Sequence, residues 1–172
     1  MNQIQYNNNT LILSVKKSPL FGRLILYTIT FLSIFLPLSG FTFNLLSGNG
    51  LKFSNLVFLF VFGLISFFML RISLWNTYGK EIIKISENQL NYIADYNWFK
   101  DKIKEFSFKN IIFNLNEIGY EEDNKAVLII KFDNGTVLET VTKIDIKELN
   151  NLLDKLNKNY NYQITQIPLL KV

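Results

Sequence analysis

Two long apolar runs fill much of the first half of the chain, and a change of hydrophobic period opens the second half. From Leu24 to Leu51 the sequence LILYTITFLSIFLPLSGFTFNLLSGNGL carries no charged residue. About twenty helical residues, rising 1.5 Å each, cover the roughly 30 Å hydrocarbon core of a bilayer. The pattern predicts a first transmembrane helix from Phe21 to Leu46. SGNGLK, Ser47 to Lys52, contains two glycines and the turn-forming Asn49, and so can reverse the chain. A second charge-free run, Phe53 to Leu70, follows at once and predicts a second span from Phe53 to Trp75. It ends in RISLWNTYGKE, Arg71 to Glu81. Arg71 can snorkel toward the interface, Trp75 and Tyr78 suit the headgroup layer, and Gly79, Lys80 and Glu81 belong in water. The first run starts late for a signal peptide and lacks a cleavage-site pattern, so its removal on export is not expected. The competing reading, a buried hairpin in a soluble protein, needs two helices apolar on all sides inside a very small domain.

From Glu81 onward the period becomes that of strands. EIIKIS, QLNYIA, KIKEFSF and NIIFNLNE are short segments rich in Ile, Phe and Tyr, separated by polar breaks such as Ser86-Glu87-Asn88, and predict an antiparallel meander. KAVLIIKFD and TVLETVTK flank Asn134-Gly135, a dipeptide suited to a two-residue hairpin turn with positive φ at both central positions. TLILSV, Thr10 to Val15, is a further candidate strand for the same sheet. Asp145, with Glu148 three positions on, predicts a capping box. Beyond it Ile146, Leu149, Leu152, Leu153 and Leu156 form one apolar stripe, leaving Lys147, Asp154, Lys155 and Lys158 for water. YQITQIPLLKV adds an edge segment or trails. The expected organisation is an N-terminal segment over 1–20, a two-helix transmembrane hairpin over 21–76, and a soluble β-rich α+β domain over 77–172 closed by a C-terminal helix.

Charge sets the orientation. Lys16, Lys17 and Arg23 precede the first span, Arg71, Lys80 and Lys84 accompany the exit of the second, and only Lys52 sits in the connection. The side that retains Lys and Arg is normally cytoplasmic, or stromal in a plastid, so both termini are expected there. On that side the sequons Asn8-Asn9-Thr10 and Asn134-Gly135-Thr136 are turn-like sequence and not glycosylation sites. The net charge of +4 is mild and its basic residues are dispersed, which argues against nucleic-acid binding. Sixteen of the eighteen basic residues are lysine, and Asn, Ile, Phe and Tyr abound, a composition that AT-rich codon usage produces.

The absence of Cys and His removes thiol nucleophiles, Cys/His metal sites and His-based triads. No phosphate-binding glycine loop, dinucleotide fingerprint or zinc motif is present. No small-molecule substrate, cofactor or catalytic residue is assigned, and the chain is expected not to be an enzyme. Three constellations remain. Thr30, Ser33, Pro37, Gly40 and Asn44 share one helical face and suit either docking onto a larger membrane complex or, preferably, packing on the second span through Gly63, Ser66 and Ser73. Glu117, Glu121, Glu122 and Asp123 offer carboxylates to a hard cation, but lack the spacing of a calcium loop and fit a solvated connection better. Lys100, Lys102, Lys104 and Lys109, set among Trp98, Phe99, Phe106 and Phe108, fit either an anionic lipid or acidic partner surface, or plain alternation along a strand.

The layout resembles the photosystem I assembly proteins of plastids and cyanobacteria, small thylakoid proteins with two N-terminal spans and a stromal β-rich domain. The resemblance covers about Leu11 to Gln166. It rests on Ser14-Val15-Lys16-Lys17 before the first span, SGFTFNLL near its end, GLISFFMLRISLWN leading out of the second, the Tyr78-Gly79 pair, FSFKNI, IIKFDNGTVLETVTK and the helix ending in LLDKLNKNYN. Similar proteins carry a Gly-Pro-Gly turn with basic residues where Asp95-Tyr96-Asn97-Trp98 stands here, and the opposite order of Tyr78 and Gly79. The resemblance implies a divergent member, anchored in the plastid thylakoid membrane, that scaffolds photosystem I subunits and assembly intermediates without catalysis. A second resemblance is to bacterial two-span proteins with a pleckstrin-homology-like domain, whose meander and final helix come in the same order. It implies a membrane-anchored module that binds lipid or protein.

Overall fold

The computed structural model describes residues 2–48, 50, 52–101, 103–120 and 123–160. Asn49, Lys102, Glu121, Glu122, the segment YQITQIPLLKV and the side chain of Lys158 lie outside the described residues. The described chain forms two compact units, one of residues 17–79 and 96–98, the other of residues 2–16, 80–95 and 99–160.

The first unit is a helical hairpin. Helix α1 spans Leu20–Leu46 and helix α2 spans Phe53–Tyr78, so the second helix runs one turn beyond the predicted Trp75. Gly48 and Gly50 take φ of +75° and +67° in the connection, a conformation open to glycine at no steric cost. Both helices are apolar on nearly all sides, yet only 11% of each apolar stretch is buried. Apart from Leu74 and Pro37, the buried side chains of the two helices are small and hydroxyl-bearing: Thr30, Ser66, Ser73 and Thr77. Thr30 and Ser73 are buried and their hydroxyls lie 3.1 Å apart, while Tyr27 Oη donates to Thr77 Oγ1 at 3.2 Å. At the open end Ser18 Oγ donates to Asn76 Oδ1 at 3.1 Å and the Ser18 amide to the Asn76 carbonyl at 3.2 Å. Thr30, Ser66, Ser73 and Thr77 also return hydroxyl hydrogen bonds to carbonyls four residues back, which satisfies them within an apolar stretch.

The second unit contains two antiparallel sheets and a helix. The first sheet has the order β1 (Ile4–Asn7), β2 (Thr10–Ser14), β3 (Lys80–Ile85), β4 (Gln89–Asp95) and β5 (Lys104–Ser107). The second places β7 (Lys125–Phe132) between β6 (Ile111–Glu117) and β8 (Val137–Glu139), with the short β9 (Ile144–Asp145) also on β7. Helix α3, Ile146–Tyr160, packs against β6, β7 and β9. Alternation along the strands sends Leu11, Leu13, Ile83, Leu90, Ile111, Phe113, Leu128 and Ile130 into one core, each 0–1% exposed. Leu149, Leu152, Leu153 and Leu156 of α3 are buried as the stripe predicts, whereas Ile146 is only half-buried.

Two local expectations need correction. The Asn134-Gly135 hairpin is not a two-residue turn with positive φ at both centres. Only Gly135 has positive φ, +80°, and the Phe132 carbonyl accepts from Gly135 N at 3.1 Å while Phe132 N donates to the Thr136 carbonyl at 3.0 Å. Asp133, Asn134 and Gly135 thus form a three-residue loop, with Asn134 Oδ1 taking the Thr136 amide at 2.9 Å. The turn with both centres at positive φ lies instead at Asn8 (43°) and Asn9 (61°), between paired Asn7 and Thr10. Finally, the capping box does not form: Asp145 accepts the amide of Lys147, two residues on, at 2.9 Å, and not that of Glu148. Asp145 is also the last residue of β9, where it pairs with Lys125.

TLILSV does join the sheet: Thr10 to Ser14 pair in register with Lys84 to Lys80. The helical hairpin is therefore inserted in the chain between two strands that pair with each other, and the residues before it belong to the β unit.

Candidate functional site

Two places in the molecule concentrate polar groups where the sequence around them is apolar. One is the end of α2 in the helical unit. The other is a buried carboxylate in the β unit.

Phe53 to Leu70 carry no charge, and Arg71 is the first charged residue of α2. It is half-buried. Its Nε donates to Tyr96 Oη at 2.9 Å, and its guanidinium lies 5.0 Å from the centroid of the same ring. One turn later the Trp75 ring meets Tyr96 at a centroid distance of 5.0 Å. Tyr96 is therefore gripped from two turns of α2 and is 6% exposed. Gly79 closes the helix beside this cluster. A Cβ there would lie 2.5 Å from the Trp75 carbonyl oxygen and 2.7 Å from its ring, so the position needs glycine for space, its φ of −51° being ordinary. Beyond Tyr96, Asn97 takes φ of 74° and Trp98 projects with 71% of its surface exposed.

In the β unit, Glu81 is completely buried. Tyr92 Oη donates to its Oε1 at 2.7 Å, the Val141 amide to the same oxygen at 2.9 Å, and the Thr142 amide to Oε2 at 2.7 Å. Three donors converge on a group that, ionised, only accepts. This corrects the expectation that Glu81 belongs in water. Glu81 shares the inward phase of β3 with Ile83 and Ile85, so its side chain must enter the core and requires partners there. The bonds tie the first sheet to the strand-connecting segment after β8. Gln3 supports the same segment by donating from Nε2 to the Lys143 carbonyl at 3.2 Å, and Phe106 stacks on Phe132 at 4.8 Å across the two sheets.

No family model, no curated protein and no solved structure matches this chain.

The constellations read from sequence separate as follows. Thr30 and Pro37 are buried and Ser33 and Asn44 half-buried, which is the packing face expected, with Ser66 and Ser73 opposite. Gly40 and Gly63 do not share it: both are exposed, and an added Cβ meets nothing within 4 Å. Of the acidic group, Glu121 and Glu122 lie outside the described residues, among which no set of three potential ligands converges. Asp123 instead accepts the Tyr120 amide at 3.3 Å beside Gly119, whose φ is +94°. Of the lysines and aromatics, Lys104 and Phe106 lie on β5 and share its phase. Phe108 is buried and Phe106 half-buried against Phe132, while Lys104 lies over the Tyr92 ring at 5.8 Å and Lys100 approaches Asp95 at 3.9 Å. Lys109 is exposed, and Trp98 is the aromatic of that group left facing outward.

Proposed function

We propose that this chain is a two-span membrane protein whose β unit is a non-catalytic binding module held at one bilayer surface. The observation that carries the reading is the outward apolar surface of α1 and α2. Phe21, Leu36, Phe43, Phe53 and Phe60 are among the side chains more than half exposed on them. A soluble protein rarely leaves so much contiguous apolar area in water, because each buried large side chain stabilises by about 1.5–3 kcal/mol. Lipid is the solvent that removes this cost, and the small, hydroxyl-bearing contact between the helices is the kind membrane helices use. Pairing of β2 with β3 supports a single side for the segments that flank the hairpin, the side rich in Lys and Arg.

The two antiparallel sheets and closing C-terminal helix of the β unit support the pleckstrin-homology-like reading. Photosystem I assembly in the thylakoid is the client-specific form of the proposal, and it draws on the sequence resemblance. In both forms the hairpin confines the module to the membrane plane and raises its effective concentration near membrane-bound partners.

The first test is fractionation of the full chain. It should remain with membranes after an alkaline wash and be released by detergent; recovery in the supernatant refutes the anchor. Sedimentation of the reconstituted protein with anionic and neutral liposomes tests lipid binding by the β unit. Disruption of the gene tests the photosystem role, which normal accumulation of photosystem I would rule out.

A further inference from the structure

We propose that Trp98, at the tip of the β4–β5 connection, is a third membrane contact that inserts its indole into the headgroup layer beside the exit of α2. The inference rests on the membrane reading of the hairpin and extends it to a residue outside both helices.

The height of the tip is set by Tyr96. Its partners Arg71 and Trp75 lie in the last two turns of α2, and residues 96–98 belong to the same compact unit as the helices. The eighteen uncharged residues from Phe53 to Leu70 rise about 27 Å, close to the thickness of the hydrocarbon core. Arg71 and Trp75 therefore begin the interfacial zone, and Tyr96 is held at that level. Trp98 follows two residues later, within about 7 Å along the chain. The apolar surface of α1 supports the same or a greater depth. Thr30 meets Ser73, and Leu20, Phe21 and Leu24 lie up to about 15 Å further toward that end, each more than half exposed.

The chemistry of the tip fits this placement. An indole has a broad apolar body and one N–H donor, the combination that concentrates tryptophan where acyl chains give way to headgroups. In water its 71% exposure is unfavourable. The loop also invests specific geometry in presenting it. Asp95 and Lys100 bridge at the neck, Asp101 N donates to the Ala94 carbonyl at 2.9 Å, and Asn97 adopts the left-handed conformation immediately before Trp98. Tyr96 is turned inward onto α2 while Trp98 is turned out.

The chain has two tryptophans, Trp75 and Trp98, so fluorescence can read both. Full-length protein and Trp98→Phe are reconstituted in nanodiscs of phosphatidylcholine, with and without bromine near the carbonyl end of the acyl chains. The difference between the two proteins reports Trp98, and Trp98→Phe reports Trp75 in its native contacts. The expected result is strong quenching of the Trp98 component by brominated lipid, a blue-shifted emission and protection from aqueous acrylamide. Tyr96→Ala should reduce the Trp98 quenching, read as the difference between Tyr96→Ala and the Tyr96→Ala, Trp98→Phe double variant so that the altered surroundings of Trp75 cancel. Quenching of Trp75 with a Trp98 component that stays acrylamide-accessible overturns the inference while sparing the anchored hairpin. Loss of quenching at both residues refutes the membrane reading itself.

Discussion

Replacing Glu81 removes the acceptor on which three donors depend. Two of those bonds, from Tyr92 Oη and the Thr142 amide, are fully buried, and the third, from Val141, is partly so. A hydrogen bond to a charged group contributes about 1.5–3 kcal/mol, so the two buried bonds together represent about 3–6 kcal/mol. Part of that is offset, because the carboxylate no longer has to be desolvated. We expect Glu81→Ala to cost about 2–4 kcal/mol, and Glu81→Gln less, since one oxygen continues to serve Tyr92 and Val141 while the amide nitrogen confronts the Thr142 N–H. Hydrogen exchange of the full chain in nanodiscs localises the effect. At tenfold per 1.4 kcal/mol, 2–4 kcal/mol corresponds to roughly 30- to 700-fold faster exchange at Thr142. The reasoning fails if Glu81→Ala leaves the unfolding midpoint unchanged and the protection of Thr142 and Val141 within about twofold of wild type, a difference of under about 0.5 kcal/mol.

Three further outcomes follow from other contacts. Gly79→Ala should destabilise by about 1–3 kcal/mol through overpacking against the Trp75 backbone and ring; a perturbed Trp75 emission accompanied by a lower melting temperature in detergent would show it, and unchanged melting would count against it. Thr30→Val removes the hydroxyl contact to Ser73 and should weaken helix association by only about 0.6 kcal/mol, the usual value for such pairs in membranes; a loss several times larger on detergent titration would mean the pair does more than join two helices. Deleting residues 2–16 withdraws β1 and β2 and the fully buried Leu11 and Leu13, about 3–6 kcal/mol of apolar burial against a typical total of 5–15 kcal/mol. The truncated chain should aggregate or be rapidly proteolysed, and a well-protected β unit without those residues would contradict the sheet order.

The helical hairpin and the α3 stripe were legible because apolar residues are abundant there and their period is unambiguous. Strand positions were legible for the same reason from Glu81 to Phe132. What escaped was pairing over distance. Periodicity identifies TLILS as strand-like but carries no information on its partner, and the partner, β3, lies on the far side of two helices. The strand β1, IQYN, is too short and too polar to signal itself, and depends on the Asn8-Asn9 turn to fold back on β2. The role of Glu81 was readable in part: it falls in phase with Ile83 and Ile85, and an acidic residue on the inward phase of a strand must find donors. Its donors could not be read, since two are backbone amides some sixty positions away. The grip of Tyr96 on Arg71 and Trp75 was hidden likewise, because the sequence places those residues in different elements.

The insertion of the hairpin between β2 and β3 has an energetic consequence for assembly. Long-range strand pairing is slow and unfavourable in an open chain, because loop-closure entropy must be overcome before the contacts form. Here the two helices close most of that loop first. Once Ser18 meets Asn76 and Tyr27 meets Thr77, only a few residues on each side separate the helices from paired Ser14 and Lys80. Reducing the effective loop from the whole hairpin to those few residues lowers the closure cost by about 2 kcal/mol on the logarithmic scaling. On the membrane reading, span association therefore precedes and favours completion of the first sheet. The sheet in turn can close only when both flanking segments lie on the same side of the bilayer. A chain with one span misinserted would hold β2 and β3 on opposite faces, leaving the edge of β3 unpaired and the core-facing Ile83 without Leu11 beside it. Strand pairing thus discriminates between topologies independently of the charge bias that guides insertion.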